Sequence, residues 1–415
     1  MSTQANTLRG DARIIGLIGL AHGVSHLFQL LLPPLFPQLK REFGVSYAEL
    51  GLLVTVLYAV SGVSQALAGF VVDRLGARRV LMLGLGALAT AAALGSLAHS
   101  YMLVAVCAGL IGLGNSVFHP ADFSILNTKV SARRLGHAFS VHGMSGNLGY
   151  ATAPILFLSI SSAYGWRAAL FAASVIALVM LGLVWSHSAA LDEPLRAPAT
   201  QGRGASKPAH APALPLTTLT VLLNGAVISC FLFFIFSAFA GIGAQNFSPS
   251  MLAAIYGVSP MLAATMLTGF LASGAGGMIV GGFLANGTAR HDVVAAAGSA
   301  GAAIVFMVLA SGIAPAPVLF LLMCFGGFVI GMTNPSRDML ARLAAPQGAA
   351  GRVFGIVYSG VDLGAAISPA VLGWLLDHRH PQWAFMILAM ALCVNVVLAL
   401  GARQYSSAVL AKAVS

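Results

Sequence analysis

The residues able to do chemistry are few, and most of them stand where a charge is expensive. His22 and His26 are four residues apart in a long apolar run, so on a helix they share a face. That is the spacing of a metal pair, but no Cys or Glu nearby completes a ligand set. The reading preferred from sequence is therefore two imidazoles lining a polar cavity, with no metal and no cofactor. Histidine also relays protons near neutral pH. His119 and Asp122 share a face on a later run, with Pro120 between them to loosen the helix and free a carbonyl. Asp122 reads either as an interfacial or paired carboxylate or, with His119, as a protonation site coupled to a solute. Arg337 stands beside Asp338 in the matching stretch of the second half. A pair between Asp122 and Arg337 would lower the cost of burying both; otherwise Arg337 snorkels to the surface. Asp362 lies deep in another apolar run, one turn after Tyr358 and with no basic neighbour close by. It reads as a second proton site, or as a neutral acid hydrogen-bonded to another helix. Asn224, Gln245 and Asn334 complete the polar residues expected in a cavity.

Other chemistries are missing. No GxxxxGK[ST] loop binds ATP, and there is no HExxH or GxSxG. No nucleophile–base set suggests an enzyme, and the scattered aromatics form no nucleic-acid platform. The cysteines Cys107, Cys230, Cys324 and Cys393 all lie in apolar runs without ligand spacing, and read as packing residues.

The elements that must position these groups are membrane helices. The chain is 58% hydrophobic and 8% charged, against about 25% charged for a soluble domain. Runs of the ~20 residues that span a bilayer recur throughout. Their approximate positions are 14–38, 46–72, 80–98, 102–128, 137–160 and 167–186, then 216–241, 251–285, 293–312, 316–343, 352–377 and 383–403. The long run 251–285 is expected to enter the membrane near Pro260. Residues 187–215, rich in Pro and Ala, read as a linker between bundles 1–186 and 216–415. With the N-terminus in the cytoplasm, seventeen of the 21 Lys and Arg fall at cytoplasmic ends, which places both termini and the linker there. The net charge of +10 is thus a topology signal and not a nucleic-acid patch.

Residues 114–154 and 329–369 align without a gap at an offset of 215. His119-Pro120 falls on Asn334-Pro335, Gly149 on Gly364, and Pro154 on Pro369. Six helices per unit start both halves on the same side, so the halves are parallel repeats about an axis along the membrane normal. The expected fold class is an all-α membrane protein with twelve transmembrane helices in two six-helix bundles.

One motif is sharp: Gly69-Phe70-Val71-Val72-Asp73-Arg74-Leu75-Gly76-Ala77-Arg78-Arg79, between the second and third runs. In a six-plus-six chain this GxxxDRxGxRR pattern resembles the major facilitator superfamily. The resemblance implies a central site opened to each side in turn, with the first, fourth, seventh and tenth helices lining the cavity. It assigns Gly69, Asp73, Arg74, Gly76 and Arg78 to gating. A breakable ion pair at a helix end suits a two-state gate; the alternative is that these arginines only set topology. The second-half counterpart, Gly282-Phe283-Leu284-Ala285-Asn286-Gly287, has no acid. A narrower resemblance, to the fosmidomycin-resistance branch, rests on His22-Gly23-Val24-Ser25-His26-Leu27, on Ser46-Tyr47-Ala48-Glu49-Leu50-Gly51, and on Phe118-His119-Pro120-Ala121-Asp122. It implies a proton-driven exporter in a bacterial inner membrane, working as a monomer on a small solute, anionic if Arg337 meets it. The fifth run lacks the Gly-Pro pair of such exporters, which leaves proton-coupled uptake of a carboxylate or sugar as the other transport reading. A membrane enzyme or non-transporting sensor is the reading from another class.

Overall fold

The computed structural model describes residues 2–191, 224–344 and 350–414. The expected linker 187–215 lies almost wholly outside the described residues. Eleven helices among them are long and apolar enough to cross a membrane. A twelfth, Leu135–Tyr164, is 30 residues long, but His137, His142, Asn147 and Tyr150 dilute its apolar character. In chain order we name them α1 (Ser2–Gln29), α2 (Tyr47–Leu75), α3 (Ala77–Ser96), α4 (Tyr101–Lys129), α5 (Leu135–Tyr164) and α6 (Trp166–Ser186). The second set is α7 (Gly225–Tyr256), α8 (Pro260–Gly287), α9 (His291–Ser311), α10 (Ala316–Ala344), α11 (Ala350–Asp377) and α12 (Pro381–Val414).

Local chemistry sets their ends. Ser46 and Glu49 form a reciprocal capping box that starts α2, with Glu49 Oε2 accepting from Ser46 N at 2.7 Å. Pro260 occupies the first turn of α8, where its missing N–H costs nothing, and marks the expected membrane entry of the long eighth run. Residues 251–256 of that run belong instead to α7. Gly76 turns the chain from α2 into α3 at φ 84°, which explains why the motif needs glycine there. Within α4 the helix breaks at Ser116 and Val117, ending one piece at Asn115 and starting the next at Phe118. Pro120 cannot donate to the Ser116 carbonyl, so the expected loosening is a full break. In α10 the matching Pro335 leaves the helix continuous.

The repeat is visible in the helix starts. Tyr101, Leu135 and Trp166 begin α4, α5 and α6, and Ala316, Ala350 and Pro381, each 215 residues later, begin α10, α11 and α12. Packing repeats too. α1 packs on α5 as α7 does on α11, α2 on α4 as α8 on α10, and α3 on α6 as α9 on α12. Two long seams join the halves, α2 against α11 and α5 against α8.

The α2–α11 seam is tightest at one end. A Cβ at Gly51 would run into the Pro369 carbonyl, and one at Gly373 into that of Tyr47, so only glycine allows this approach. Thr55 Oγ1 donates to the Ala366 carbonyl at 2.6 Å. The Asp377 carboxylate accepts from Tyr47 N at 2.7 Å and Ala48 N at 2.8 Å, with Lys40 Nζ 3.6 Å away. We call this the Asp377 end, and the opposite face, with Asp73 to Arg79, the motif end.

Candidate functional site

The site is built where three helices of the first half meet. α1 supplies His22 and His26 one turn apart. The second piece of α4 supplies His119 and Asp122, and α5 supplies His142. Asp122 is fully buried, and its Oδ2 meets His142 Nε2 at 3.0 Å and His22 Nδ1 at 3.5 Å. The His22 and His142 rings stack with centroids 3.6 Å apart, and His119 lies 5.0 Å from His22. Asp122 Oδ1, His22 Nδ1, His119 Nδ1 and both ring nitrogens of His26 make no hydrogen bond. Gly146 makes room for this crowd, since a Cβ there would lie 2.9 Å from His22 Nε2.

The four imidazoles face a cavity of about 640 Å³ whose opposite wall carries Arg337 and Tyr358 of the second half. Phe123, Asn127 and Met278 line it toward the motif end. Arg337 is not paired with Asp122 as the sequence suggested. Its guanidinium bonds the neighbouring Asp338 at 3.1 Å and covers the Phe234 ring at 4.4 Å from its centroid. Arg337 lines the cavity, but Asp122 is buried behind the imidazoles that line it, and His142 and His22 meet its carboxylate instead.

Beyond His26 the polar groups continue as a chain. Tyr150, whose ring lies 4.4 Å from His26, donates its hydroxyl to Gln29 Oε1. Gln29 Nε2 donates to Asn115 Oδ1 at 2.6 Å, and Asn115 Nδ2 to the Ser25 carbonyl at 2.8 Å. Tyr58 of α2 and the buried Gln245 of α7 flank the Tyr150 hydroxyl, so both halves meet there. Asp362 of α11 is half-buried on the α2–α11 seam. A Cβ at Gly62 of α2 would come 3.0 Å from the Asp362 carboxyl carbon. Among the described residues Asp362 has no ion pair or hydrogen bond.

The structure thus brings His22, His26, His119 and Asp122 together and sets Arg337 across the cavity from them. It does not bring in Asn224, whose side chain caps α7 by accepting from Ala226 N at 2.9 Å. A residue with an Asn side chain at a helix start is a cap before it is a ligand. Asn334 is half-buried on α10 outside the cavity wall, and Gln245 lies deeper, beside Tyr150. Sequence reasoning left out His142, Tyr150, Gln29 and Asn115. The available signal was the stripe His142, Gly146, Tyr150 on α5, matching the His22, His26 stripe of α1. Of the motif residues, Gly69, Asp73 and Arg74 are exposed and Arg78 is half-buried; among the described residues neither Asp73 nor Arg74 has an ion-pair partner.

Two six-helix sets, related by a repeat and enclosing a polar cavity inside the membrane span, define a multi-pass membrane transporter. The family model described as Major Facilitator Superfamily matches residues 18–286 and 231–412, and the chain belongs to that family, whose members are transporters and not enzymes. The chain is similar to the fosmidomycin resistance protein of Escherichia coli, 26% identical over 94% of this chain and 91% of that protein. It is 31% identical to the uncharacterized MFS-type transporter YfnC of Bacillus subtilis, over 41% of this chain and 42% of that one. Its fold is that of a bacterial homologue of the human lysosomal transporter Spinster, with a TM-score of 0.69 at 16% identity over 96% of both chains.

Proposed function

We propose that the chain is a proton-coupled secondary transporter that exports a small anionic or amphipathic solute by antiport. The observation that carries this reading is a single cavity with imidazoles on one wall and a guanidinium on the other. Arginine matches planar oxyanions, and here its ion-pair partner is the adjacent, 41% exposed Asp338, with the Phe234 ring beneath it. A solute oxyanion can take that partner's place. The similarity to a protein named for fosmidomycin resistance supports export and a role in drug resistance.

The proton is assigned to Asp362. Alternating access rocks one bundle against the other, so groups on the seam change surroundings while groups inside a bundle keep theirs. Asp362 stands on the α2–α11 seam against Gly62. Asp122, by contrast, is enclosed by α1, α4 and α5 of one bundle, and His119 goes with it. Asp73, Arg74 and Arg78, held by the last turns of α2, where Gly69 stands, and by the turn at Gly76, serve as the gate at the motif end. The bundles are 1–186 and 216–415, joined by a cytoplasmic linker at 187–215, in a monomer in the bacterial inner membrane with both termini in the cytoplasm.

The test is proton flux in everted vesicles, read with a pH-quenched dye, with fosmidomycin, other phosphonates, carboxylates, sugars and lipophilic cations added after energisation. An anion should release protons in the native protein and not in Asp362→Asn, and Arg337→Gln should raise the concentration needed by about tenfold or more. If only neutral or cationic compounds move protons, or Asp362→Asn responds like the native protein, the proposal fails.

A further inference from the structure

We propose that His22, His119 and His142 form a binding site for one divalent transition-metal ion, with Asp122 as the carboxylate that orients it. One donor atom from each imidazole lies within 4.8 Å of the others. A tetrahedral ion with nitrogen ligands at about 2.1 Å needs them about 3.4 Å apart. Imidazole rotations of the order of an ångström close that gap, and the helices stay where they are. Neutral imidazole is the ligand that zinc, nickel, cobalt and copper ions share.

Three further observations point to a cation here. The first is the count of unmet polar atoms. Buried polar atoms are nearly always bonded, yet His119 Nδ1 and Asp122 Oδ1 make no hydrogen bond, and His22 Nδ1 has only a 3.5 Å contact with Asp122 Oδ2, all at one spot. The second is the His142–Asp122 contact at 3.0 Å. A metal-bound histidine characteristically gives its other ring nitrogen to a carboxylate, which fixes the ring and raises its basicity. The third is access. All three imidazoles line the cavity, so an ion can reach them, and three protein ligands leave one position for water or a solute oxygen. The sequence hid this set because its members come from α1, α4 and α5, and because the visible pair, His22 and His26, contributes only one of the three.

The experiment uses the full chain in detergent, purified on a tag without histidine. Cobalt(II) is titrated in and the visible d–d bands are recorded, with isothermal titration of zinc(II) alongside. One cobalt per chain with the intense bands of a four-coordinate site is expected. His142→Ala should abolish the bands, and Asp122→Asn should weaken binding about 10–100-fold. Replacing the exposed His378 should change nothing. Should His142→Ala fail to fold, His119→Ala carries the same test, since its Nδ1 has no bond to lose. Absence of the bands in the native protein, or bands unchanged by these substitutions, overturns the site. The assay needs no solute and no proton gradient, so its outcome is separate from that of the transport assay.

Discussion

Neutralising Asp377 should open the seam that its carboxylate closes. In the observed state both carboxylate oxygens are used, one by Tyr47 N and one by Ala48 N, at 2.7 and 2.8 Å. These are the free N–H groups of the first turn of α2, where the helix dipole also favours a negative charge. Hydrogen bonds to a charged group contribute about 1.5–3 kcal/mol each. Asp377→Asn keeps one acceptor oxygen and loses the second bond and the charge. The side chain is 18% exposed, so water competes for part of that gain. A loss of about 2 kcal/mol is the resulting figure, which shifts the equilibrium between closed and open seam about 30-fold. A population about 97% closed would fall to about half. The assay is a spin-label distance across the Asp377 end, with labels at His99 in the α3–α4 loop and Ile313 in the α9–α10 loop, in a protein with its four cysteines replaced. A second, longer distance should appear in Asp377→Asn and dominate in Asp377→Ala. If both variants superimpose on the native distribution, the carboxylate does not hold this end shut.

Lys40→Gln should move the same distribution only slightly, by about 0.2–1 kcal/mol, because Lys40 stands 3.6 Å off at the partly exposed rim; added salt should mimic it. Gly51→Val places a side chain against the Pro369 carbonyl, so the seam should part at the Asp377 end and the long distance should appear even with Asp377 intact. Asn115→Ala strips a partner from both Gln29 and the Ser25 carbonyl, at about 1–3 kcal/mol for each buried group, and should lower the apparent melting temperature in detergent by several degrees. Arg134→Gln removes the 2.7 Å partner of the buried Asp11, which also accepts from Ser131 Oγ at 2.7 Å. It should destabilise by about 1–3 kcal/mol, and a melting temperature equal to that of the native protein would show that Ser131 alone suffices for Asp11.

The fold was legible because a bilayer imposes it. Backbone groups in hydrocarbon must be bonded within the segment, so long apolar runs admit only helices. The gapless repeat then fixed the symmetry, and the same offset of 215 reappears in the starts of α4–α6 and α10–α12. α5 was legible in the same way, as the apolar run 137–160. The site was legible only in parts. Helical spacing reveals which residues of one helix share a face, and it found His22 with His26 and His119 with Asp122. It says nothing about how helices are rotated against each other. That is why His142, on a third helix, was left out, and why Asp122 was matched with Arg337 by repeat symmetry. Symmetry relates backbones, whereas pairing depends on the nearest complementary group, and for Asp122 that group is His142 at 3.0 Å. Asn224 failed for a related reason: its polarity is consumed by the end of its own helix.

Three acids are spread along the α2–α11 seam. α11 carries Asp377 at one end and Asp362 midway, and α2 carries Asp73 at the other end. Asp377 is engaged with α2 backbone amides, while Asp73 is exposed. A pair of rigid bundles rocking about a midpoint cannot close both ends at once, so an engaged acid at one end goes with a released acid at the other. Asp362 sits between them, where under the proposed mechanism the seam's width changes least but its access to water changes sides. A carboxyl there can load a proton from one face and release it to the other without any rearrangement inside a bundle. On this reading the two outer acids set which face is open, and the middle one ties that choice to the proton. Asp362→Asn should then abolish coupling and leave the spin-label distances of the Asp377 end free to interconvert, whereas Asp377→Asn should shift those distances and leave coupling intact. Loss of both properties in either variant would show that the seam is one cooperative unit and not three separable parts.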